Sequence, residues 1–381
     1  MDFELDEFHR TIRDTARDFT NREVAPNATK WDKEERFPKE IIPKLGELGF
    51  LGIRIPEEYG GSGLDTLAYA IIVEEIARWD GSLALTVASH NGLGSSHLLS
   101  FGSEAQKKKY LPRLATGEIL GAWALTEPGS GSDAAGMATR AVRKSDKWIV
   151  NGTKMFITQG SVGGVCVVLA VTSPEKKQKG ITAFAVEMGT PGFRASKHLE
   201  KLGMRSSDTV ELSLEDVELT DANIVGEVDR GFIDTLKILD RGRISIAALA
   251  LGLGEGALAE GIKYAKDRKA FGKPIADFQA IQWMIADSRA ELDAARVLIY
   301  RAAELADRGA RFSTEAAMAK LYASEAATRA CNRSLQIHGG YGYTREFPVE
   351  RHLRDAKLCE IGEGTSEVQR LVISRAILAE A

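Results

Sequence analysis

The sequence predicts an α+β fold, with a helical domain at each end and a β domain between them. Apolar residues recur at helical spacing up to about residue 120 and again from about residue 231. Between these regions, short apolar or alternating runs replace the helical spacing. Helices, then strands, then helices along one chain are typical of α+β proteins. We therefore predict an N-terminal helical domain over residues 1–120, a β-barrel-like domain over 121–230 and a helical bundle over 231–381.

In the N-terminal region, apolar side chains three or four residues apart predict amphipathic helices. The first such set is Phe8, Ile12, Ala16 and Phe19, and a second is Ile41, Leu45 and Leu48. Pro38, Pro56 and Gly60-Gly61 interrupt the spacing. We therefore expect several separate helices in this region.

Strand-like runs characterise the middle region. They are Trp148–Val150, Met155–Ile157, Val165–Val171 and Ile181–Val186. Asn151-Gly152 lies between the first two runs, and both residues tolerate the positive φ of a tight turn. This dipeptide predicts a β-hairpin.

Ala- and Leu-rich stretches with helical spacing follow residue 231, where only two of the ten prolines occur. Within them, Gly252–Ala257 has the G-x-G-x-x-A spacing of a dinucleotide-binding turn. Such a turn follows a strand, whereas the residues before Gly252 have a helical pattern. Close packing of two helices is therefore the favoured interpretation of these glycines.

Composition and charge exclude several classes of protein. The chain has 50 Lys plus Arg against 54 Asp plus Glu, a net charge of -4, so no overall field attracts nucleic acid or an anionic membrane. Its apolar stretches fall short of the roughly 20 residues of a membrane-spanning helix. The three cysteines are scattered and the six histidines lack ligand spacing, so neither a disulfide framework nor a metal site is expected. The acidic N-terminus is unlike a targeting peptide, and we expect a cytoplasmic protein.

The segment Cys359–Arg370 carries a candidate catalytic residue. Glu363 precedes Gly364 and an apolar run, a pattern typical of a carboxylate on a turn before a helix. In apolar surroundings the pKa of a carboxyl group rises toward the working pH, and the group becomes a usable base. From these residues alone an alternative stands, because Glu363 and Glu367 also suit the first turn of an ordinary helix, whose dipole favours acids.

Two glycine-rich loops are candidates for ligand binding. Ala124–Gly136 combines hydroxyls with glycines, so its main-chain N–H groups can approach a polar ring or a phosphate. Gln336–Arg351 contains Gly339-Gly340, where another group can approach the backbone. Each loop taken alone is equally compatible with a tight surface turn or a helix end.

Together these segments resemble the acyl-CoA dehydrogenase family, and the resemblance runs from end to end of the chain. Residues 124–136 and 336–355 fit the two signatures of that family. Asn151–Gly160 resembles its next strand pair, and Arg268–Gly272 with Gln279 resembles its flavin-binding helix region. The chain is most similar to short- and medium-chain members of the butyryl-CoA dehydrogenase type.

The resemblance implies an FAD site between the β domain and the C-terminal helices. The positions that match those around the flavin ring are Trp123, Ala124, Leu125, Thr126, Ser132, Phe156, Ile157 and Thr158. Those that match the pyrophosphate and adenosine contacts are Arg268, Phe271, Gln279, Gln336, Gly339 and Gly340, and further flavin contacts are Thr365 and Glu367. Because a neighbouring subunit completes this site in the family, the resemblance implies an oligomer, usually a homotetramer.

The implied reaction is α,β-dehydrogenation of a saturated acyl-CoA to the trans-2-enoyl-CoA, a step of fatty acid β-oxidation. Glu363 would remove the α-proton while the β-hydrogen leaves as hydride to the flavin. The matching substrate-binding positions are Ser132, Asp240, Arg243 and Gly364. In the family, the main-chain N–H of the glutamate helps to stabilise the enolate, and one such donor contributes roughly 3 kcal/mol. Electron-transferring flavoprotein is the implied electron acceptor.

Three features of the sequence bear on specificity. Gly242 stands where one branch of the family places its base, which leaves Glu363 as the base and argues against isovaleryl-type enzymes. Gly362 stands where many relatives have tyrosine, which opens space for a branched or bulkier acyl chain. Gly81–His97, expected to line the deep pocket, contains no Lys or Arg, so a dicarboxylic substrate lacks a charge partner there.

Two other functions fit the same resemblance. An acyl-CoA oxidase would use the same base with oxygen as the acceptor, but such enzymes tend to be longer chains. A DNA-binding or scaffold flavoprotein would carry a basic surface domain and lack the base, whereas this chain has nearly balanced charge and retains Glu363.

Overall fold

The computed structural model describes residues 4–380, so the outer ends of the two predicted helical domains, residues 1–3 and 381, lie outside the described residues. The helices are α1 (Glu7–Phe19), α2 (Ala28–Glu34), α3 (Ile42–Glu47), α4 (Thr66–Ala77), α5 (Gly81–Ser89), α6 (Ser96–Phe101), α7 (Glu104–Thr116), α8 (Gly231–Asp267), α9 (Gln279–Asp307), α10 (Ser313–His338), α11 (Val349–Ile361) and α12 (Ser366–Glu380). The strands are β1 (Gly121–Ala124), β2 (Arg140–Lys144), β3 (Lys147–Thr158), β4 (Val165–Val171), β5 (Ile181–Glu187), β6 (Phe193–His198), β7 (Thr209–Thr220), β8 (Ile224–Val225), β9 (Lys269–Ala270) and β10 (Lys273–Pro274). The predicted α+β class is confirmed.

Aspartate and serine side chains fix the starts of several N-terminal helices. Asp6, Asp65 and Asp80 each accept a hydrogen bond from a main-chain N–H in the first turn of α1, α4 and α5. Ser103 forms a reciprocal capping box with Gln106 at the start of α7. These caps satisfy N–H groups that have no partner within the helix.

The middle region forms a mixed eight-stranded sheet. Its order is β6-β7-β3-β2-β4-β5-β8, and β1 pairs in parallel with β4. Side chains of β4 alternate between two cores, as the strand repeat of two requires. Val165, Val167 and Leu169 pack into the core shared with α6, α7 and α8, whereas Cys166 and Val168 pack into the core between the strands. The first of these cores fixes the sheet against the helices.

The predicted hairpin at Asn151-Gly152 is wrong. β3 runs without interruption through both residues, and its pairing with β7 shifts register between Val150 and Gly152, which is a β-bulge. A Cβ at position 152 would lie 2.3 Å from the Oγ1 of Thr139. The glycine therefore marks a close approach of two chain segments within the sheet rather than a turn.

Glycines of α8 allow close helix packing, as predicted. A Cβ at Gly252 would lie 2.2 Å from the Glu74 carbonyl oxygen, and one at Gly256 would lie 2.1 Å from that of Arg78. α8 is long and apolar enough to span a membrane, but 89% of its most apolar window is buried inside the protein. Its apolar residues form the core with α4, α9 and α10.

Candidate active site

Glu363 lies on the turn between α11 and α12, in a conformation that glutamate rarely adopts. α11 ends at Ile361 and α12 begins at Ser366. Glu363 has φ +52° and Gly364 has φ +92°, so two successive residues occupy the left-handed region. For a residue with a Cβ this region is strained, and it persists where the surroundings hold it. The turn predicted from the sequence is present, and its strain indicates a functional constraint.

The carboxyl group of Glu363 faces α8 at Gly242. A Cβ added at Gly242 would lie 2.0 Å from Oε2 of Glu363 and 3.5 Å from Cδ2 of Leu93. The residue as a whole is partly exposed, whereas Oε2 is buried and has no hydrogen-bond partner among the described residues. The glycine at position 242 therefore provides the space that the carboxyl group of Glu363 occupies.

The surroundings raise the pKa of Glu363 to about 7. Burial is the main cause, and the positive charges of Lys320 and Arg243 oppose it. A carboxyl group with a pKa near neutrality is matched to proton transfer at physiological pH. Perturbed groups of this kind cluster at functional sites.

Two of the predicted substrate-binding residues lie beside this carboxyl group on α8. Asp240 and Arg243 form an ion pair, with 2.5 Å between Oδ1 and Nη1, and the Ser313 hydroxyl donates to the same carboxylate over 2.8 Å. Nε of Arg243 is buried without a partner among the described residues. Gly364, the third of these residues, follows Glu363, whereas Ser132 is exposed on the loop after β1.

The two segments predicted to line the flavin ring run side by side. The main-chain N–H of Met155 on β3 donates to the Thr126 carbonyl oxygen over 2.8 Å. Trp123, Ala124, Leu125 and Ile157 are buried, whereas Thr126 and Thr158 are partly exposed. Phe156 is 65% exposed and has φ +59°. The structure thus brings these predicted residues together and leaves a large aromatic ring uncovered beside them.

A buried ion pair that sequence reasoning missed fixes the loop between these segments. Nζ of Lys154, a fully buried residue of β3, donates to Oε1 of Glu127 over 2.8 Å and to the Leu125 carbonyl oxygen over 3.1 Å. The Glu127 carboxylate also accepts from the main-chain N–H groups of Ala138 and Thr139. Burial opposes ionisation of Glu127, but the Lys154 ammonium and these hydrogen bonds hold its pKa below the usual range. The one sequence signal for this ion pair was a lysine within a strand-like run.

A second missed residue, His97, supports Trp123. Nε1 of Trp123 donates to Nδ1 of His97 over 3.1 Å, and Nε2 of His97 is buried without a partner among the described residues. Burial lowers the pKa of His97 to about 4, so the imidazole is neutral at pH 7. The spacing of the histidines gave no signal for this contact, since it links residues 26 apart on α6 and β1.

The residues predicted to hold the pyrophosphate and adenosine lie in and around a surface cleft. The cleft has a volume of about 420 Å³, and Arg268, Gly339 and Gly340 are among its lining residues. Phe271 is 95% exposed, and Gln279 and Gln336 are also exposed. Of the two further predicted flavin contacts, Thr365 is partly exposed and Glu367 is exposed at the start of α12.

These features fit FAD. Additional Cβ atoms at Gly129 and Gly131, or at Gly339 and Gly340, would meet nothing within 4 Å, so both loops have open space beside them. The exposed Phe156 ring suits a planar ring system, and Arg268 beside two open glycines suits a phosphate. In the described part of the chain, no group of three or more His, Cys, Asp or Glu side chains could hold a metal ion. The absence of a metal stays a prediction.

Comparisons with known proteins identify the family. Residues 6–118, 122–217 and 229–378 match the N-terminal, middle and C-terminal domains of acyl-CoA dehydrogenases. The chain is 49% identical over 379 residues to "Probable acyl-CoA dehydrogenase YngJ" of Bacillus subtilis, with 99% of this chain and 100% of that protein covered.

Two solved structures are similar over their full length. Butyryl-CoA dehydrogenase from Megasphaera elsdenii superposes with a TM-score of 0.97 at 43% identity, covering 99% of this chain and 100% of that chain. A chain from a structure of the electron transferring flavoprotein of Acidaminococcus fermentans superposes with a TM-score of 0.98 at 45% identity, with the same coverage. The family binds FAD, which confirms the predicted cofactor. The chain therefore belongs to the acyl-CoA dehydrogenase family and is an FAD-dependent oxidoreductase.

Proposed function

We propose that the protein converts a short-chain saturated acyl-CoA to the trans-2-enoyl-CoA, with Glu363 as the base that removes the α-proton. One observation carries this proposal. The carboxyl group of Glu363 is raised in pKa to about 7, and its Oε2 is buried without a hydrogen-bond partner among the described residues. A group in this state can accept a proton at neutral pH without first breaking a hydrogen bond.

The turn also supplies a donor for the developing charge on the substrate. Among the described residues, the main-chain N–H of Glu363 donates to no acceptor. Such an N–H can donate to the thioester oxygen, where negative charge builds as the α-proton leaves. A preorganised donor at this place lowers the barrier by roughly 3 kcal/mol.

FAD supplies the hydride acceptor in this proposal. The residues that would hold its ring are those of β1 and the loop after it, together with Phe156–Thr158, and the Lys154–Glu127 pair keeps these segments in place. We further propose that a homotetramer completes the site. The exposed Phe271, Trp283 and Tyr343 support this, since large uncovered aromatic residues commonly mark an interface.

The proposed substrate is a monocarboxylic acyl chain of short length. α5 is buried throughout and carries no charged side chain, so a second carboxylate would find no charge partner on it. The likeness to butyryl-CoA dehydrogenase supports the short length. Gly362 leaves room next to the base, and this supports a branched chain as well.

Further proposals concern the cellular setting. We propose electron-transferring flavoprotein as the acceptor, a place in fatty acid β-oxidation and a cytoplasmic location. The similarity to a chain from an electron transferring flavoprotein structure supports the first of these.

Anaerobic titration with straight, branched and aromatic acyl-CoAs, followed by flavin absorbance, tests the reaction and ranks the substrates. Bleaching by butyryl-CoA with formation of the enoyl product is the expected result. A flavin that no saturated acyl-CoA bleaches would contradict the proposal. Rapid reoxidation of the bleached flavin by air would favour an oxidase instead.

A further inference from the structure

Lys320 of α10 is a buried cation that binds the turn carrying Glu363. The residue is 0% exposed, and its Nζ donates to the Gly364 carbonyl oxygen over 2.6 Å. The Nε2 of Gln369 donates to the same oxygen over 2.9 Å and to the Glu363 carbonyl oxygen over 3.4 Å. The strained pair Glu363 and Gly364 is therefore held by a charge-assisted hydrogen bond from one helix and an amide from another.

Burying a lysine is costly, so its position requires an explanation. An ammonium group removed from water without a carboxylate partner is disfavoured by several kcal/mol. Among the described residues, no carboxylate forms an ion pair with Lys320, whose one hydrogen bond goes to a main-chain carbonyl. A neutral donor would serve a packing role at lower cost. The charge is therefore explained by the strained turn that it binds and by its electrostatic influence on the Glu363 carboxyl group, which it reaches without forming an ion pair.

We propose that Lys320 is a positioning residue for the base: it holds the left-handed Glu363–Gly364 turn and places a positive charge beside the carboxyl group. This inference rests on the proposed function of Glu363. It adds a residue 43 positions upstream, on a different helix, to the two catalytic-turn residues that the sequence indicates.

Electrostatics agrees with this assignment. Burial lowers the pKa of Lys320 to about 8, so the ammonium form persists at pH 7. The charge of Lys320 opposes the rise in the pKa of Glu363. The other titratable or charged groups near Glu363 and Lys320, from the elements packed around them, are Arg243 and Asp240 on α8, Tyr69 on α4, and Cys359 and Glu360 on α11.

Three single variants of the holoenzyme separate charge, hydrogen bond and packing. Lys320→Met removes the charge and the donor, and Lys320→Gln removes the charge but keeps a donor. Ser324→Ala is the control, since Ser324 is buried one turn further along α10 and bonds within its own helix. The measurement is the single-turnover rate of flavin bleaching by butyryl-CoA between pH 6 and 9.

Removal of the charge should move the acid limb of this profile upward by about one pH unit in both Lys320 variants, because Glu363 loses a neighbouring cation. The plateau rate should fall about 10-fold in Lys320→Met and less in Lys320→Gln, since looser placement of a base lowers the rate. Ser324→Ala should change neither quantity. A limb that stays in place in both Lys320 variants would overturn the proposal, as would an equal shift in Ser324→Ala.

A second measurement does not depend on turnover. The parent protein and Lys320→Gln are each compared with the same protein carrying Glu363→Gln. The difference in Tm within each pair is followed against pH. The Tm difference changes at the pH where Glu363 ionises. This transition should lie at higher pH in the Lys320→Gln background than in the protein with Lys320. An unchanged transition pH would overturn the role of Lys320 even if no acyl-CoA bleached the flavin, whereas absent bleaching alone would contradict only the proposed function.

Discussion

Gly242→Ala tests the contact between α8 and Glu363, the proposed base. A Cβ at this position would lie 2.0 Å from Oε2 of Glu363, and ordinary contact begins at 3.4 Å. The carboxyl group must therefore move by about 1.4 Å, because the α8 backbone is held by its own hydrogen bonds and by the core. A displacement of about 1 Å at a reacting group costs about 100-fold in rate. We expect the rate of flavin bleaching to fall at least about 100-fold.

The stability of Gly242→Ala should rise slightly or stay the same, although its activity falls. Alanine is favoured over glycine within a helix by about 1 kcal/mol, and the methyl group meets a side chain rather than a backbone. The variant should therefore bind FAD, and its Tm should be equal to or above that of the parent protein. A loss of activity without a loss of stability separates displacement of the base from misfolding.

The matched control is Gly261→Ala on the same helix. Position 261 lies 19 residues further along α8, or about 28 Å at the helical rise. The nearest atoms to a Cβ there would belong to Ser334, the first of them its hydroxyl oxygen at 3.1 Å. This variant should bleach at the parental rate. A rate for Gly242→Ala within threefold of that of the parent protein would contradict the proposed contact, as would an equal loss of activity in both variants.

Three further changes have expected outcomes. Glu363→Gln should retain FAD and lose at least about 10³-fold in turnover. Above pH 7 its free energy of unfolding should exceed that of the parent protein by up to about 3 kcal/mol, because the folded parent protein must ionise a buried carboxyl group there. This gain in stability should vanish below about pH 4. Equal turnover, or equal Tm at pH 8, would contradict the assignment. Gly362→Tyr should fold, because the nearest atoms to a Cβ there belong to Leu358 and lie at 3.5 Å or more. This variant should disfavour branched acyl-CoAs relative to butyryl-CoA, and an unchanged preference would refute the role of this glycine. Lys154→Met should purify with less FAD because the Glu127 carboxylate loses its ammonium partner, and full flavin occupancy at the parental Tm would contradict the role of the pair.

The fold was predictable because its signals are local. The predicted strand at Val165–Val171 coincides with β4, and the turn before α12 follows from Glu363-Gly364. The hairpin prediction failed because Asn151-Gly152 also suits a bulge, and the approach of Thr139 that requires the glycine comes from another strand.

The site was predictable only in part, for a related reason. The sequence indicated Glu363 as a base, but its neighbours come from distant segments. The sequence shows that position 242 carries a glycine where one branch of the family has its base. The contact of Gly242 with the Glu363 carboxyl group depends on how α8 packs against the turn. Lys154 and Lys320 were missed because lysine is ordinarily a surface residue, and their burial results from contacts 27 and 44 residues away.

We propose that Glu363 removes the α-proton of a saturated acyl-CoA at a pKa near neutrality. The decisive experiment compares the single-turnover bleaching of the flavin by butyryl-CoA with that by 2,2-dideuterated butyryl-CoA between pH 6 and 9. We expect a slower rate with the deuterated substrate and a rate that rises with pH to a plateau, with an apparent pKa near 7. Equal rates for the two substrates combined with a rate independent of pH would contradict the proposal.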